Sequence, residues 1–312
     1  MKGVRSPDAA KRNPDRYVLN VKAPDFASLH PGYALVARFA TTTRSSSYTR
    51  YSPVPEPLRR PCYFVLAHPL IEIRAAWRMF RLFLHLVCGS AAIRFAKPRM
   101  SGPRLAQFKQ RWSIKLLKVL GVQLRAEAVD LPVRALFVCN HISWLDVFVI
   151  SAVTPAHFVC KDDIRKWPVI GWLLAATETI FIARSNRADA ARTAKALAER
   201  LQRDEPVAFF PEGTTTNGTI LLPFSGALFE AATLAQACVA PMTLRYLDKH
   251  GKPSTAPAYD ADVTFMESLR AIVKAPSLIA ELRALPEIPS GLKRREYAKI
   301  TQEKIGKELD LI

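Results

Sequence analysis

The sequence predicts an α/β protein, a mostly parallel sheet flanked by helices, preceded by an N-terminal amphipathic helical segment suited to membrane contact. From Val122 onward, short β-rich runs alternate with helical stretches, the pattern of a layered structure with a largely parallel sheet. Two of those runs end in polar clusters, and such sheets bind ligands beyond the carboxyl ends of their strands. The charge is the third sign: 45 Lys and Arg against 27 Asp and Glu give net +18. Residues 1–60 hold +7 of this and 61–115 hold +9, so the rest of the chain is nearly neutral. With 312 residues, 49% of them hydrophobic, the chain buries a real core and is excluded from the disordered class. Its 12 glycines show no three-residue period, which excludes collagen.

The chain divides into three parts. Residues 1–60 mix Pro, Ser, Thr and Arg with no sustained apolar period and no apolar signal core, the composition of a disordered basic arm. Residues 61–115 form the helical membrane-contacting segment. In it, Leu82 to Ile93 is an apolar run of only 12 residues, against about 20 needed to span a bilayer. Arg74, Arg78 and Arg81 share one helix side and are expected to snorkel while Phe80, Leu82, Phe83, Leu84 and Leu86 dip into lipid. Leu105, Phe108, Trp112, Leu116 and Val119 then recur at helical spacing, flanked by Lys109, Arg111, Lys115 and Lys118. This basic amphipathic helix suits either a core-packed helix with a solvated charged face or a membrane surface. The basic excess beside it favours an anionic membrane surface as the partner, reached from the cytoplasmic side.

Residues 116–312 form the third part, the α/β domain. Strands are expected at 122–129, 135–139, 157–160, 179–183, 207–210 and 239–246, and helices at 144–152, 162–175, 187–203, 224–236, 266–283 and 291–308. The five cysteines, at 62, 88, 139, 160 and 238, form no CxxC pair and read as reduced thiols, neither a disulfide framework nor a zinc site.

The polar clusters are Asn140-His141-Ile142-Ser143-Trp144-Leu145-Asp146 and Pro211-Glu212-Gly213-Thr214-Thr215. On one continuous helix, five residues turn about 500°, which would separate His141 from Asp146. If the helix begins at Ser143, His141 lies in the loop before it and Asp146 in its first turn. There the carboxylate can accept from one imidazole nitrogen and leave the other free to take a proton. The alternative is a cap: Ser143 and Asp146 have capping-box spacing, so Asp146 could merely serve the helix.

Three blocks, His141-x-x-x-x-Asp146, Phe210-Pro211-Glu212-Gly213-Thr214 and Val239-Ala240-Pro241, resemble in order and spacing the glycerolipid acyltransferase family that includes bacterial lysophosphatidate acyltransferases. The resemblance covers roughly residues 135–245. It implies transfer of a fatty acyl group from acyl-CoA or acyl carrier protein to the hydroxyl of a lyso-lipid acceptor, without cofactor or metal. It makes His141 the general base and Asp146 its partner, and gives Glu212, Gly213, Thr214 and Thr215 to acceptor binding. Arg184, in Phe181-Ile182-Ala183-Arg184, becomes a candidate ligand for an acceptor phosphate, although the family's Asp before that Arg is replaced. Lysophosphatidate acyltransferases continue the third block as Glu-Gly-Thr-Arg-Ser, whereas here Thr215 stands at the Arg position. That departure keeps lyso-ornithine lipid and lysophospholipids open as acceptors beside the leading 1-acyl-sn-glycerol 3-phosphate.

The chemistry agrees: an alcohol attacks a thioester well only as its proton is removed, and an imidazole of ordinary pKa about 6.5 suits that task near neutrality. Other enzyme classes fall away. Ser225 lacks the glycine of a nucleophile elbow, Thr219 occupies the Lys position of a P-loop, and Asn217-Gly218-Thr219 reads as a turn. The alternative of another class is a non-catalytic basic protein that binds RNA or a membrane. It explains the charge but not two polar clusters at strand ends in a neutral domain, and no specific nucleic-acid partner is expected.

Overall fold

The computed structural model describes residues 18–19, 69–126, 131–132, 134–162, 177–182, 187–260 and 263–311. Its strands are β1 (Val18–Leu19), β2 (Val122–Ala126), β3 (Ala135–Cys139), β4 (His157–Lys161), β5 (Ile180–Ile182), β6 (Val207–Phe209), β7 (Cys238–Leu247) and β8 (Leu278–Ala284). Its helices are α1 (Pro69–Ala96), α2 (Gly102–Val119), α3 (Asp146–Val153), α4 (Arg187–Leu201), α5 (Glu230–Ala235), α6 (Phe265–Lys274) and α7 (Arg294–Glu308). The strands form one sheet in the order β1-β2-β8-β7-β3-β6-β4-β5. From β7 to β5 every pairing is parallel, as expected for α/β, whereas β7–β8 is antiparallel. β3 is buried at every position and lies mid-sheet, with a core on each face.

All six expected strands lie where the sequence put them, with at most their ends shifted; β8 is not among them. The helix expected over 266–283 does not hold. α6 starts with a capping box between Thr264 and Glu267 and stops after Lys274. Pro276 follows two residues later; a proline has no N–H to continue a helix and disfavours helical geometry before it. The chain then turns into β8, whose Leu278, Ile279, Ala280 and Leu282 are all buried. The helix expected over 224–236 shortens to α5, and the one over 162–175 lies outside the described residues. So does the arm 1–60, except β1, which pairs antiparallel with β2.

The segment 61–115 also departs from expectation. The 12-residue apolar run sits inside α1, which has 28 residues. With the turn that follows, it is the one helix among the described residues long and apolar enough to cross a membrane, by length and composition. One face of α1 is nonetheless packed: Ala75, Leu82, Gly89 and Ile93 are buried. Leu70, Ile73, Trp77, Phe80, Phe83, Leu84 and Val87 are exposed, an apolar stripe with no other element packed on it among the described residues. Leu82 thus faces the core and not outward. Two of the arginines expected to snorkel do something else. Arg74 donates to Lys274 O, and Arg78 donates to both Val273 O and Ala275 O. Together they satisfy the open carbonyls at the C-terminus of α6. Gly121, two residues past the end of α2, has φ +78°; an added Cβ there would come within 2.0 Å of the Arg78 guanidinium. The α2 stripe is core as well, with Leu105, Leu116 and Val119 buried and Trp112 packed against the core, so the exposed apolar surface of this segment belongs to α1.

At the opposite end of the parallel strands from His141, His157 opens β4 among Glu178, Arg200 and Glu205. Its Nδ1 is 3.2 Å from Glu178 O, and Arg200 Nη1 is 3.3 Å from Nε2. Burial, then the Lys109 and Arg200 cations, lower its pKa from 6.5 to about 4. The unfolded chain therefore takes up a proton below 6.5 that the folded one refuses until about 4, so stability falls as pH falls through that window. We expect urea melts to lose on the order of 1 kcal/mol per pH unit there from this residue. His157→Gln should flatten that slope; an unchanged slope would assign the acid sensitivity elsewhere.

Candidate active site

β3 and β6 run side by side, with Val138 in register with Phe209. Three residues further along each strand come His141 and Glu212, so the sheet itself brings the two polar clusters together. Glu212 Oε1 accepts from His141 N at 2.7 Å, and Oε2 accepts from Leu222 N at 3.0 Å. Both oxygens are thus engaged with backbone, and Glu212 ties the loop after β6 to the loop after β3. Burial pushes its carboxyl above the usual range, and the two N–H donors act against that. Gly213 makes the turn after Glu212 with φ 75°, a conformation costly for a side-chain-bearing residue.

The loop 141–143 is held at almost every polar atom. His141 O accepts from Thr216 N at 2.9 Å and Ile142 O from Tyr259 N at 3.1 Å. Just before it, the buried Asn140 uses its amide as a spare peptide unit, donating to Leu244 O at 3.0 Å and accepting from Leu244 N at 2.9 Å. Sequence reasoning missed this clamp, whose only sign was a polar residue at the end of an all-apolar strand.

α3 begins at Asp146, not Ser143, and Asp146 is fully buried. Its Oδ2 lies 2.8 Å from His141 Nδ1 and accepts from Ile142 N at 2.7 Å and Ser143 N at 2.9 Å; Oδ1 accepts from Tyr246 Oη at 2.7 Å. The carboxylate meets the imidazole and holds the loop backbone, whereas the helix cap does not form as expected: the N-cap of α3 is Leu145, with no side-chain cap. Since a carboxylate only accepts, Nδ1 carries the hydrogen and Nε2 bears the lone pair. Phe210 stacks on the imidazole with centroids 3.9 Å apart and planes within 6°, so the ring is fixed by a hydrogen bond at its edge and an aromatic face. The side chain is 18% exposed, enough to meet a substrate.

The other sequence candidates divide. Thr215 lies beside the site, but its hydroxyl donates to Tyr259 O, which spends its one hydrogen. Thr214 is exposed. Arg184 falls outside the described residues, the last described residue before it being Ile182 at the end of β5. Asn217 Oδ1 accepts from Thr219 N at 3.0 Å, the turn expected of that tripeptide. Among the described residues no three of His, Cys, Asp or Glu gather as metal ligands.

Residues 124–245 match the family model described as Acyltransferase. Over 243 residues, 76% of this chain and 93% of the relative, the sequence is 31% identical to the lyso-ornithine lipid O-acyltransferase of Pseudomonas aeruginosa. The chain belongs to the glycerolipid acyltransferase family. It is also similar, at 42% identity over 159 residues, to the 1-acyl-sn-glycerol-3-phosphate acyltransferase of Neisseria gonorrhoeae. That match covers 51% of this chain and 62% of the relative, so less than two thirds of the relative's length is spanned. The crystal structure of the 1-acyl-sn-glycerophosphate (LPA) acyltransferase PlsC from Thermotoga maritima superposes with TM-score 0.60. It covers 78% of this chain and 95% of its own at 16% identity, a likeness of fold.

If Glu212 is the tie between the two loops, Glu212→Gln sets an amide NH2 against one of two backbone N–H donors. We expect a loss of about 1–3 kcal/mol in stability, read from denaturant melts. A variant as stable as the parent would show that the tie carries no weight.

Proposed function

We propose that this acyltransferase-family chain moves a fatty acyl group from a thioester, acyl-CoA or acyl carrier protein, to the free hydroxyl of a lyso-lipid. The observation that carries the reading is the imidazole held by Asp146 at 2.8 Å with Nε2 left to accept. His141 Nε2 takes the acceptor hydroxyl's proton as the oxygen attacks the thioester carbonyl. Asp146 fixes the tautomer and balances the imidazolium formed. The tetrahedral intermediate collapses, the C–S bond breaks, and the imidazolium returns its proton to the departing thiolate. This sequence of steps calls for no metal or redox group.

The acceptor we propose is 1-acyl-sn-glycerol 3-phosphate, giving phosphatidate. The 42% identity to the Neisseria relative of that name supports it. A second reading, acylation of lyso-ornithine lipid, is favoured by the longer Pseudomonas match and by Thr215, whose position in the block lacks the guanidinium that grips a phosphate monoester bidentately. An assay with both acceptors separates them through their ratio of kcat/KM. His141→Ala should lower turnover about 10²- to 10⁴-fold with the fold intact; a folded variant that still turns over would overturn the base assignment.

We further propose that α1 lies along the cytoplasmic face of the inner membrane. Its buried face holds it to the domain, which argues against a free span, while the opposite stripe of Trp77, Phe80, Phe83 and Leu84 offers apolar area to lipid. Because α2 is core, point changes on α1 test this better than deletions. Trp77→Asp with Phe83→Asp should release the protein from anionic vesicles. High salt alone should only weaken binding, since screening removes the Coulomb attraction and leaves the apolar contact. Complete release by salt would refute insertion.

A further inference from the structure

We propose that Tyr246 is a positioning residue of the acyl transfer: its hydroxyl holds the Asp146 carboxylate in the orientation that keeps Oδ2 on His141. The inference rests on the acyl-transfer reading of His141 and adds a group 100 residues further along the chain than Asp146. Met242, Leu244 and Tyr246 alternate along β7 and are all buried in the core beneath α3. A phenol on such a face needs a recipient for its hydrogen, and it has one, Asp146 Oδ1 at 2.7 Å.

The two oxygens of Asp146 are held differently. Oδ2 takes three N–H groups, all from residues 141–143, so the local loop provides for it. Oδ1 takes Tyr246, 100 residues away in sequence. Without that hydroxyl, Oδ1 would be an unpaired carboxylate oxygen inside the core, an expensive arrangement. It is relieved by turning the carboxylate or by raising its proton affinity, and both alter the contact of Oδ2 with Nδ1. Tyr246 is itself anchored: it pairs with Ala280 of β8, and Asn140 bridges the backbone of Leu244 two residues before it. The phenol is therefore a rigid donor from the sheet.

Among the described residues, the titratable groups acting on this pair are Glu212 from the loop after β6, Cys139 at the end of β3 and Tyr246 itself. Burial, then the charge of Asp146, pushes the Tyr246 phenol well above its usual range, so it remains a donor. A donated O–H draws charge from the carboxylate and weakens its pull on an imidazolium. Removing it should strengthen that pull while loosening the alignment.

The test uses the full chain with acyl-CoA and lysophosphatidate, comparing Tyr246→Phe with the parent. We expect kcat to fall about tenfold with KM within about twofold, and the acid limb of the kcat/KM profile to move to higher pH. A purely structural role would lower stability and leave that limb in place. Should Tyr246→Phe fail to fold, 3-fluorotyrosine at 246 keeps the shape and strengthens the donor, and the limb should then move to lower pH. Parent kcat and an unmoved limb in the folded variant, or an unmoved limb with fluorotyrosine, overturn the proposal. His141→Ala run in parallel keeps the two questions apart: its retained turnover would refute the base itself, whatever Tyr246 does.

Discussion

A carboxylate buried beyond the reach of water is the constraint from which the site is built. Burying such a charge costs several kcal/mol unless donors replace the lost solvent. Asp146 is fully buried, and four donors surround it: two backbone N–H groups, an imidazole N–H and a phenol. Each demands something of the fold. The backbone donors require residues 141–143 to curl back over the start of α3. The phenol requires β7 to lie next to β3, in the register that sets Cys139 against Met242. The imidazole donor is the functional product: a ring held in one tautomer by a charge that the rest of the core has already solvated.

Around that charge, the parallel order of β7, β3 and β6 supplies the remaining geometry. Parallel neighbours bring their carboxyl ends to the same edge, so the loops after β3 and β6 meet with no further design. Glu212 and Thr216 then join them through His141 N and His141 O. Phe210, the first residue past β6, closes over the imidazole from the side. The antiparallel β8 covers the other edge of β7, which leaves β7 a rigid central strand and not a margin.

The N-terminal helix shows one sequence feature serving two masters. Its arginines bind the carbonyls at the end of α6, and its buried face follows Ala75, Leu82, Gly89 and Ile93. Met79 and Leu86 pack at the edge of that face, whereas Leu70, Ile73, Trp77, Phe80, Phe83, Leu84 and Val87 remain exposed. A helix anchored on one side and apolar on the other can present the domain to a lipid surface in a set orientation, which suits the proposed lyso-lipid acceptor, a molecule that resides in the membrane.

What the sequence determined by itself was local. Apolar runs placed six strands, and the spacing from His141 to Asp146 together with the Phe210 to Thr214 block located the candidate base and its family, because these signals depend on neighbours in the chain. Pro276 also stood in plain view as a helix stop, and the expectation of one helix over 266–283 underweighted it. Only tertiary structure decided which faces are covered. Arg74 and Arg78 read as membrane anchors until α6 ends beneath them, and the α2 stripe read as lipid-facing until β2 and α3 occupy it. Thr215 and Glu212 looked like substrate ligands, yet their polar atoms are taken by Tyr259, His141 and Leu222. Tyr246 and Asn140 carried no motif at all. A side chain's task depends on which donors and acceptors reach it through space, and apart from Leu222 those partners lie 44 to 200 residues away, beyond any periodicity in the chain.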